Sequence, residues 1–455
     1  MTVSTKVWWL KGLRLLEVAV VVAVLGGVFF SDLQAVDFHG DESHWIATSC
    51  YFEAWVTPGF SELEWLRTST VPADFPIPAW LAATLAPGAS STHVWSAHYW
   101  TLTQPMVSRY MIALGRIAGG YGVVDLNIPW DFHTTDAQNV SMGAYPSPGL
   151  LRSSRAAMAL LSIISGAILF LLVHHCAGAM AGYSFVAMYM GSGYLLTHLR
   201  RAMSEAPLLF FTTLALLCAA RALTVAPRRL GRAVAWLLLM SVCAGLAGAA
   251  KLNGLAVGFA AVVLCFVVAF RYRGPDVKRW RVAFLAALLV MAITVGIFIL
   301  VNPFLYRQPV HRTVAMVLFR RWEMEKQARN RWWRIPDFFA RLHIVPQRIL
   351  YDYPAVRIMF FNAPLTVLGL FVLIRAAWRW LWGKERLTAG KPMNAGTGLA
   401  LLIVAAVTAL PPLLTPLDWD RYYMYPVLFV TVSVAVSLGW IARHWRDFVA
   451  LYTDS

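Results

Sequence analysis

The chain has 455 residues, of which 59% are hydrophobic and only 14% charged. A soluble domain carries about a quarter charged residues, and here the apolar residues fall in blocks of about twenty, enough to cross ~30 Å of hydrocarbon. A soluble globular fold is excluded. So is a nucleic-acid protein, despite the net charge of +16, because the basic residues cluster at the ends of apolar blocks as the positive-inside rule requires.

The first apolar block, 13–30, follows Lys6, Lys11 and Arg14. It is long for a signal peptide and reads as a retained anchor. Residues 31–152 are polar and rich in Trp, Pro, Ser and His. They form a large first extracytoplasmic loop with amphipathic helices at the membrane interface, such as Met106–Ile117. Nine further blocks follow, at 156–174, 179–197, 206–223, 233–250, 253–270, 282–302, 357–375, 397–414 and 424–441. The fold class is therefore an all-α polytopic membrane protein of about ten transmembrane helices, one domain over 1–455. With both termini in the cytoplasm, the basic loops 221–232, 271–281 and 375–391 fall inside, with Arg443 and Arg446. The segment 303–355 falls outside although it is basic, carrying Arg307, Arg312, Arg320, Arg321, Lys326, Arg329, Arg331, Arg334, Arg341 and Arg348. Anionic partners on that side are expected for it. The site of action is thus read at the outer face of the cell (plasma) membrane.

Smaller features have plain readings. Gly254 and Gly258 mark tight helix packing. Cys50, Cys176, Cys218, Cys243 and Cys265 show neither a disulfide framework nor zinc spacing. Asn139-Val140-Ser141 is a glycosylation sequon on the outer side.

Ionisable groups at the edge of a membrane bundle are functional candidates. The sharpest run is His39-Gly40-Asp41-Glu42-Ser43-His44, about ten residues beyond the first span. Two carboxylates there can divide work, one taking a proton and the other orienting a partner. Acids at a helix start are the ordinary alternative. A divalent metal through His39, Asp41 and His44 is a further one, although the residues indicate no cofactor. Arg200, Arg201 and Glu205 form a turn before the fourth span. Gln104-Pro105-Met106 with Arg109 opens the amphipathic segment. Lys251 with Asn253, Asn302-Pro303 and Asp418-Trp419-Asp420-Arg421-Tyr422-Tyr423 complete the set. All fall on one membrane face.

A first span followed by an outer loop opening on Asp41-Glu42 resembles the GT-C membrane glycosyltransferases, and more narrowly the protein O-mannosyltransferases and aminoarabinose transferases. Gln104 through Arg109 is similar to the mannosyltransferase His-Pro-Pro-Leu-Gly-Lys segment, with neutral Gln104 where those families carry His or Lys. Arg200 through Glu205 resembles their Arg-rich turn, with Glu205 for the usual Asp. Ala250 through Gly254 resembles their Lys-aromatic-x-Gly turn, and Trp419 through Tyr422 gives a weaker echo. The resemblance implies sugar transfer from a polyprenyl-phosphate carrier to a hydroxyl on protein, lipid or glycan, with inversion. It implies Asp41 as general base, with Glu42 and Glu205 supporting. Arg109, Arg200, Arg201, Lys251, Arg320, Arg321 and Arg421 are the candidates for the donor phosphate, and His39, His44 and Gln104 for sugar or acceptor contacts. Membrane lipids are the other partners, and no nucleic acid is expected. The competing readings are a transporter or flippase of a lipid-linked sugar or small anion, and a non-catalytic assembly subunit. Transporters place polar, broken helices near the midplane, whereas here the ionisable groups gather at one edge.

Overall fold

A computed structural model describes residues 3–57, 104–132, 134–274, 278–306, 308–329, 334–382 and 394–453. Among them the chain is helical almost throughout. Helix α1 (Val3–Phe30) is followed by α2 (Gly40–Ala47), α3 (Tyr51–Val56), α4 (Val107–Ala118) and α5 (Asp136–Ser141). Then come α6 (Pro148–Ala177), α7 (Ala179–Gly191), α8 (Gly193–Arg200), α9 (Glu205–Val225), α10 (Leu230–Ala250), α11 (Ala256–Arg271) and α12 (Arg279–Leu300). The last are α13 (Pro309–Gln327), α14 (Phe338–Gln347), α15 (Met359–Leu381), α16 (Ala395–Leu414) and α17 (Met424–Thr453).

Local chemistry sets the ends of these helices. Pro148 opens α6 behind Ser147, whose hydroxyl accepts from Leu150 N, the arrangement that suits an N-terminal turn. Gly178, at φ +95°, reverses the chain between α6 and α7, a conformation that glycine adopts without strain. A β-carbon on Gly254 would stand 2.2 Å from Ala247 O. Only glycine allows the turn after α10 to close on that helix.

Eight helices among the described residues are long and apolar enough to span a membrane: Leu13–Phe30, Pro148–Ala177, Glu205–Val225, Leu230–Ala250, Leu252–Arg271, Arg279–Leu300, Met359–Leu381 and Asp420–Trp445. The expected block 397–414 lies within α16. The expected block 179–197 is not one rod, because it breaks at Ser192 into α7 and α8. Ser192 caps α8 by accepting from Leu195 N at 3.2 Å and itself donates to Tyr353 O at 2.8 Å. The two pieces together still run the length of the bundle. At the α7 start, Arg443 near the end of α17 donates to Ala177 O at 3.3 Å. At the α8 end, Arg200 donates to Val28 O near the end of α1.

The polar turns collect at that second end. Gln34 donates to Pro148 O at 3.3 Å, Ser108 to Ala250 O at 3.0 Å, and Met106 N to Asn302 Oδ1 at 2.9 Å. The outward faces of α1 and α12 remain apolar, with Leu15 72% and Leu285 63% exposed, as lipid contact requires. The amphipathic segment Met106–Ile117 is found as α4, with Ile112 and Ala113 fully buried. Residues 58–103 of the large first loop, and Arg307 and Arg331 of the basic segment, lie outside the described residues.

Two expectations change here. Asn139 of the sequon is fully buried; its amide donates to Asp131 O and Thr134 Oγ1 and its Oδ1 accepts from Asp131 N, so it offers nothing to a glycan. The basic segment finds several of its anions within the chain: Arg320 pairs with Glu323, Arg321 with Glu325, and Arg348 with Asp352 and Asp418.

Candidate active site at one end of the helix bundle

Asp41 and Glu42 open α2. The His39 ring caps the helix by accepting from Asp41 N at 3.1 Å, while Glu42 reaches back to His39 N at 3.2 Å. This reciprocal capping box fixes both carboxyls. From there they diverge. Glu42 is fully buried and meets Arg155 of α6 in a fork, with Nε to Oε1 at 2.8 Å and Nη2 to Oε2 at 2.7 Å. Ala202 N also donates to it at 2.9 Å. Arg155 in turn donates to Leu33 O and Val36 O. Glu42, read from the sequence as the supporting acid beside Asp41, ties four segments together, with its oxygens taken by protein donors.

Asp41 faces the other way. Its Oδ2 lies 2.5 Å from Arg421 Nη1 and 3.8 Å from His39 Nδ1. Burial alone would push this carboxyl up. The Arg421 guanidinium, His39 and His44 outweigh that and hold it below the usual range. Next to it, burial drives the His44 imidazole down to about 4, so His44 is neutral at pH 7 and packs on the Phe132 ring at 5.6 Å.

The turn 418–423 is the hub. Arg421 stacks over Trp419 at 4.4 Å. Asp420 Oδ2 stands 3.2 Å from His198 Nε2, and its carbonyl accepts from Tyr194 OH at 2.6 Å. The Tyr422 hydroxyl accepts from Arg320 at 2.7 Å, and its ring lies 5.8 Å from Lys251 Nζ. Lys251 pairs with Glu205 at 2.8 Å. Asp418 takes a two-point contact from Arg348 and a bond from Tyr423 OH. The π-turn 348–352 thus braces the hub, helped by Tyr353 stacked on Tyr194 at 4.2 Å.

Of the sequence candidates, the structure brings Asp41, Glu205, Lys251, Arg320, Arg421 and His39 around this hub. It places others differently. Arg109 is buried; it donates to Thr48 Oγ1 at 2.8 Å and Gln104 O at 2.5 Å and lies over Trp45. Burial lowers it to about 10, and these donors hold the loop. Gln104 is buried beside it. Arg200 grips Val28 O and Arg201 grips Asp37 O, so the two fasten the end of α8 to α1 and to the start of the first loop. Arg321 is 74% exposed on the outer side of α13 with Glu325. No group of three His, Cys, Asp or Glu among the described residues is arranged to hold a metal. Sequence reasoning singled out neither Arg155, which stands just ahead of the apolar block 156–174, nor the His198–Asp420 pair. No local pattern announces either.

Residues 95–310 match the family model described as dolichyl-phosphate-mannose-protein mannosyltransferase. No curated protein gives a significant match. Among solved structures, the S. cerevisiae protein O-mannosyltransferase complex bound to the sugar donor is similar at 16% identity and a TM-score of 0.40, covering 64% of this chain and 33% of that one. ArnT from Cupriavidus metallidurans bound to undecaprenyl phosphate shows 15% identity, a TM-score of 0.46, and coverage of 93% and 60%. The Archaeoglobus fulgidus oligosaccharyltransferase AglB, in complex with an inhibitory peptide and a dolichol-phosphate, shows 13%, 0.44, and 98% and 52%. The chain thus spans from about a third to three fifths of these proteins' lengths. Fold and site together define an all-α polytopic membrane protein with a charged, partly buried cluster at one membrane edge. Within that class the chain is similar, over residues 95–310, to the dolichyl-phosphate-mannose-protein mannosyltransferase family. The matched segment begins after Asp41 and ends before Arg421, so the central ion pair lies wholly outside it.

Proposed function

We propose that this chain is an inverting glycosyltransferase that moves a sugar from a polyprenyl-phosphate carrier to an acceptor hydroxyl at the outer membrane face. The observation that carries the reading is the Asp41–Arg421 contact at 2.5 Å beside the Lys251–Glu205 pair. It sets a proton acceptor and cations side by side at a membrane edge. In the reaction, the acceptor hydroxyl gives its proton to the Asp41 carboxylate as its oxygen bonds to the anomeric carbon. The bond from that carbon to the phosphate oxygen breaks, and its electrons leave with the phosphate. A phosphate ester is a stable anion and needs cations rather than a general acid. Arg421, Lys251 and Arg320 are the groups placed to supply them. A single displacement inverts the anomeric centre.

Asp41 is held ionised at neutral pH, as a base requires. The test is sugar transfer from a polyprenyl-phosphate donor by the purified full chain. Asp41→Asn is expected to lower transfer about a thousandfold and leave the protein folded; near-normal transfer would remove the assignment. Orientation is tested separately with thiols introduced at Val124, which is 95% exposed, and at Gly231 on the opposite edge. An impermeant reagent outside the cell should label the first and spare the second.

A further inference from the structure

Helix α14 has ten residues, about half of what a membrane span needs. Its first turns nevertheless hold apolar side chains outward: Phe338, Phe339 and Leu342 are all exposed, Phe339 at 79%. The mount beneath them is firm. Ahead of the helix Ile335 is buried, and its N donates to Pro416 O at 2.9 Å beside the bridge between Arg334 and Leu417. Asp337 caps the helix, its Oδ1 accepting from Ala340 N at 2.8 Å. At the far end Val345 is buried, and Arg348 makes its two-point contact with Asp418. Both ends of α14 are thus pinned to one short stretch, 416–418, which leads into the Arg421 hub. Apolar surface held out on such a mount calls for a partner.

Position and charge say which partner. Asn362, in the first turn of α15, donates to Leu350 O at 2.8 Å and Val356 O at 2.5 Å. The chain just beyond α14 therefore lies level with the start of a helix long and apolar enough to span. Ile358 and Phe360 at that start are exposed too, Phe360 at 92%. Arg334 and Arg357 are exposed in the same segment, and α14 itself carries no acid. Residues 303–355 hold ten basic side chains against four acidic. A lipid interface answers both features, with acyl chains for the rings and phosphates for the arginines. We propose that the start of α14 is an interfacial anchor in an anionic leaflet at the hub end of the bundle. Phe338, Phe339 and Leu342 enter the acyl region, and Arg334 and Arg357 meet the headgroup phosphates. Through its two pins the anchor steadies the 416–418 stretch, and with it the hub that carries Arg421. This role does not depend on the transferase reading.

Photocrosslinking tests it, with the full chain in nanodiscs of mixed phosphatidylglycerol and phosphatidylcholine. The photoreactive p-benzoylphenylalanine replaces Phe339 and, in separate chains, Leu285 on α12 and the exposed Asp136 on α5. Position 339 is expected to form lipid adducts as position 285 does, and position 136 to form none. Phosphatidylglycerol should exceed its share of the mixture at 339 by about fivefold, the worth of one interfacial arginine. Arg334→Gln combined with Arg357→Gln should remove that excess. Hydrogen exchange then reads the hold on the hub: amides of 416–423 should exchange several-fold faster in the Phe338→Ser, Phe339→Ser variant than in the wild type. The photoreactive residue keeps an aromatic ring at 339, so the crosslinks carry the test if the serine variant does not fold. Adducts at 339 to a second copy or to another protein would overturn the proposal. So would lipid capture no greater than at 136, phosphatidylglycerol captured only at its share, or unchanged exchange at 416–423 in a folded serine variant.

Discussion

Asp41 and Glu42 are neighbours on one helix turn and live in opposite surroundings. Successive helical residues point about 100° apart. That rotation sends Glu42 into the joint between the first loop and α6, and Asp41 toward the 418–423 hub. Glu42 is saturated by Arg155 and main-chain donors, while Asp41 meets one guanidinium from a distant segment. The lesson is that burial and charge do not by themselves mark a reactive group. What matters is whether the partners exhaust its capacity or leave some for a substrate.

The contrast is best broken on the Glu42 side. Arg155→Met strands a buried carboxylate and should cost about 3–5 kcal/mol, seen as a collapse in melting temperature. A wild-type melt would show the tie to be dispensable. On the other side, Asp41→Asn should lower transfer by about a thousandfold, near the middle of the range for a lost general base, with a near-native melt. If it melts like Arg155→Met, the division between the two acids is wrong.

His44 sharpens the comparison by pH. Its folded value is about 4 against an ordinary 6.5. As pH falls, the unfolded chain therefore takes the proton first, and stability present above 6.5 drains away down to about 4. The loss is about 3 kcal/mol. Melting followed across that window should fall less steeply in His44→Phe. The smallest effect belongs to Arg321. Its pair with Glu325 is exposed, so Arg321→Ala should cost no more than about 0.5 kcal/mol and spare transfer. A large loss of activity would bring the outer face of α13 into the site.

Much of this was legible in one dimension. Apolar blocks and the basic residues between them marked the helices, and Asp41, Glu205, Lys251 and Arg421 stood out as charges at span ends. Their pairing was not legible. Arg155 meets Glu42 across 113 residues and Arg421 meets Asp41 across 380, and no periodicity reports such distances. The same limit hid the burial of Arg109. The sequence offers it as a cation for the donor phosphate, and only the packed loop shows it enclosed. The break at Ser192 escaped because a serine in an apolar run leaves the hydropathy unchanged, while its cap and its bond to Tyr353 O come from tertiary structure.

The long reach of the Asp41–Arg421 pair also sets an order of events during biosynthesis. A ribosome makes the chain from its N-terminus, so Asp41 is inserted early and waits through most of translation for its partner. Lys251 and Glu205 can meet midway, but the hub arrives only with the segment leading into α17. A nascent chain halted anywhere before that point carries the acid without the cation that positions it. Charged-site assembly is thereby coupled to near-complete insertion, and a truncated chain in the membrane would hold its charged cluster unassembled.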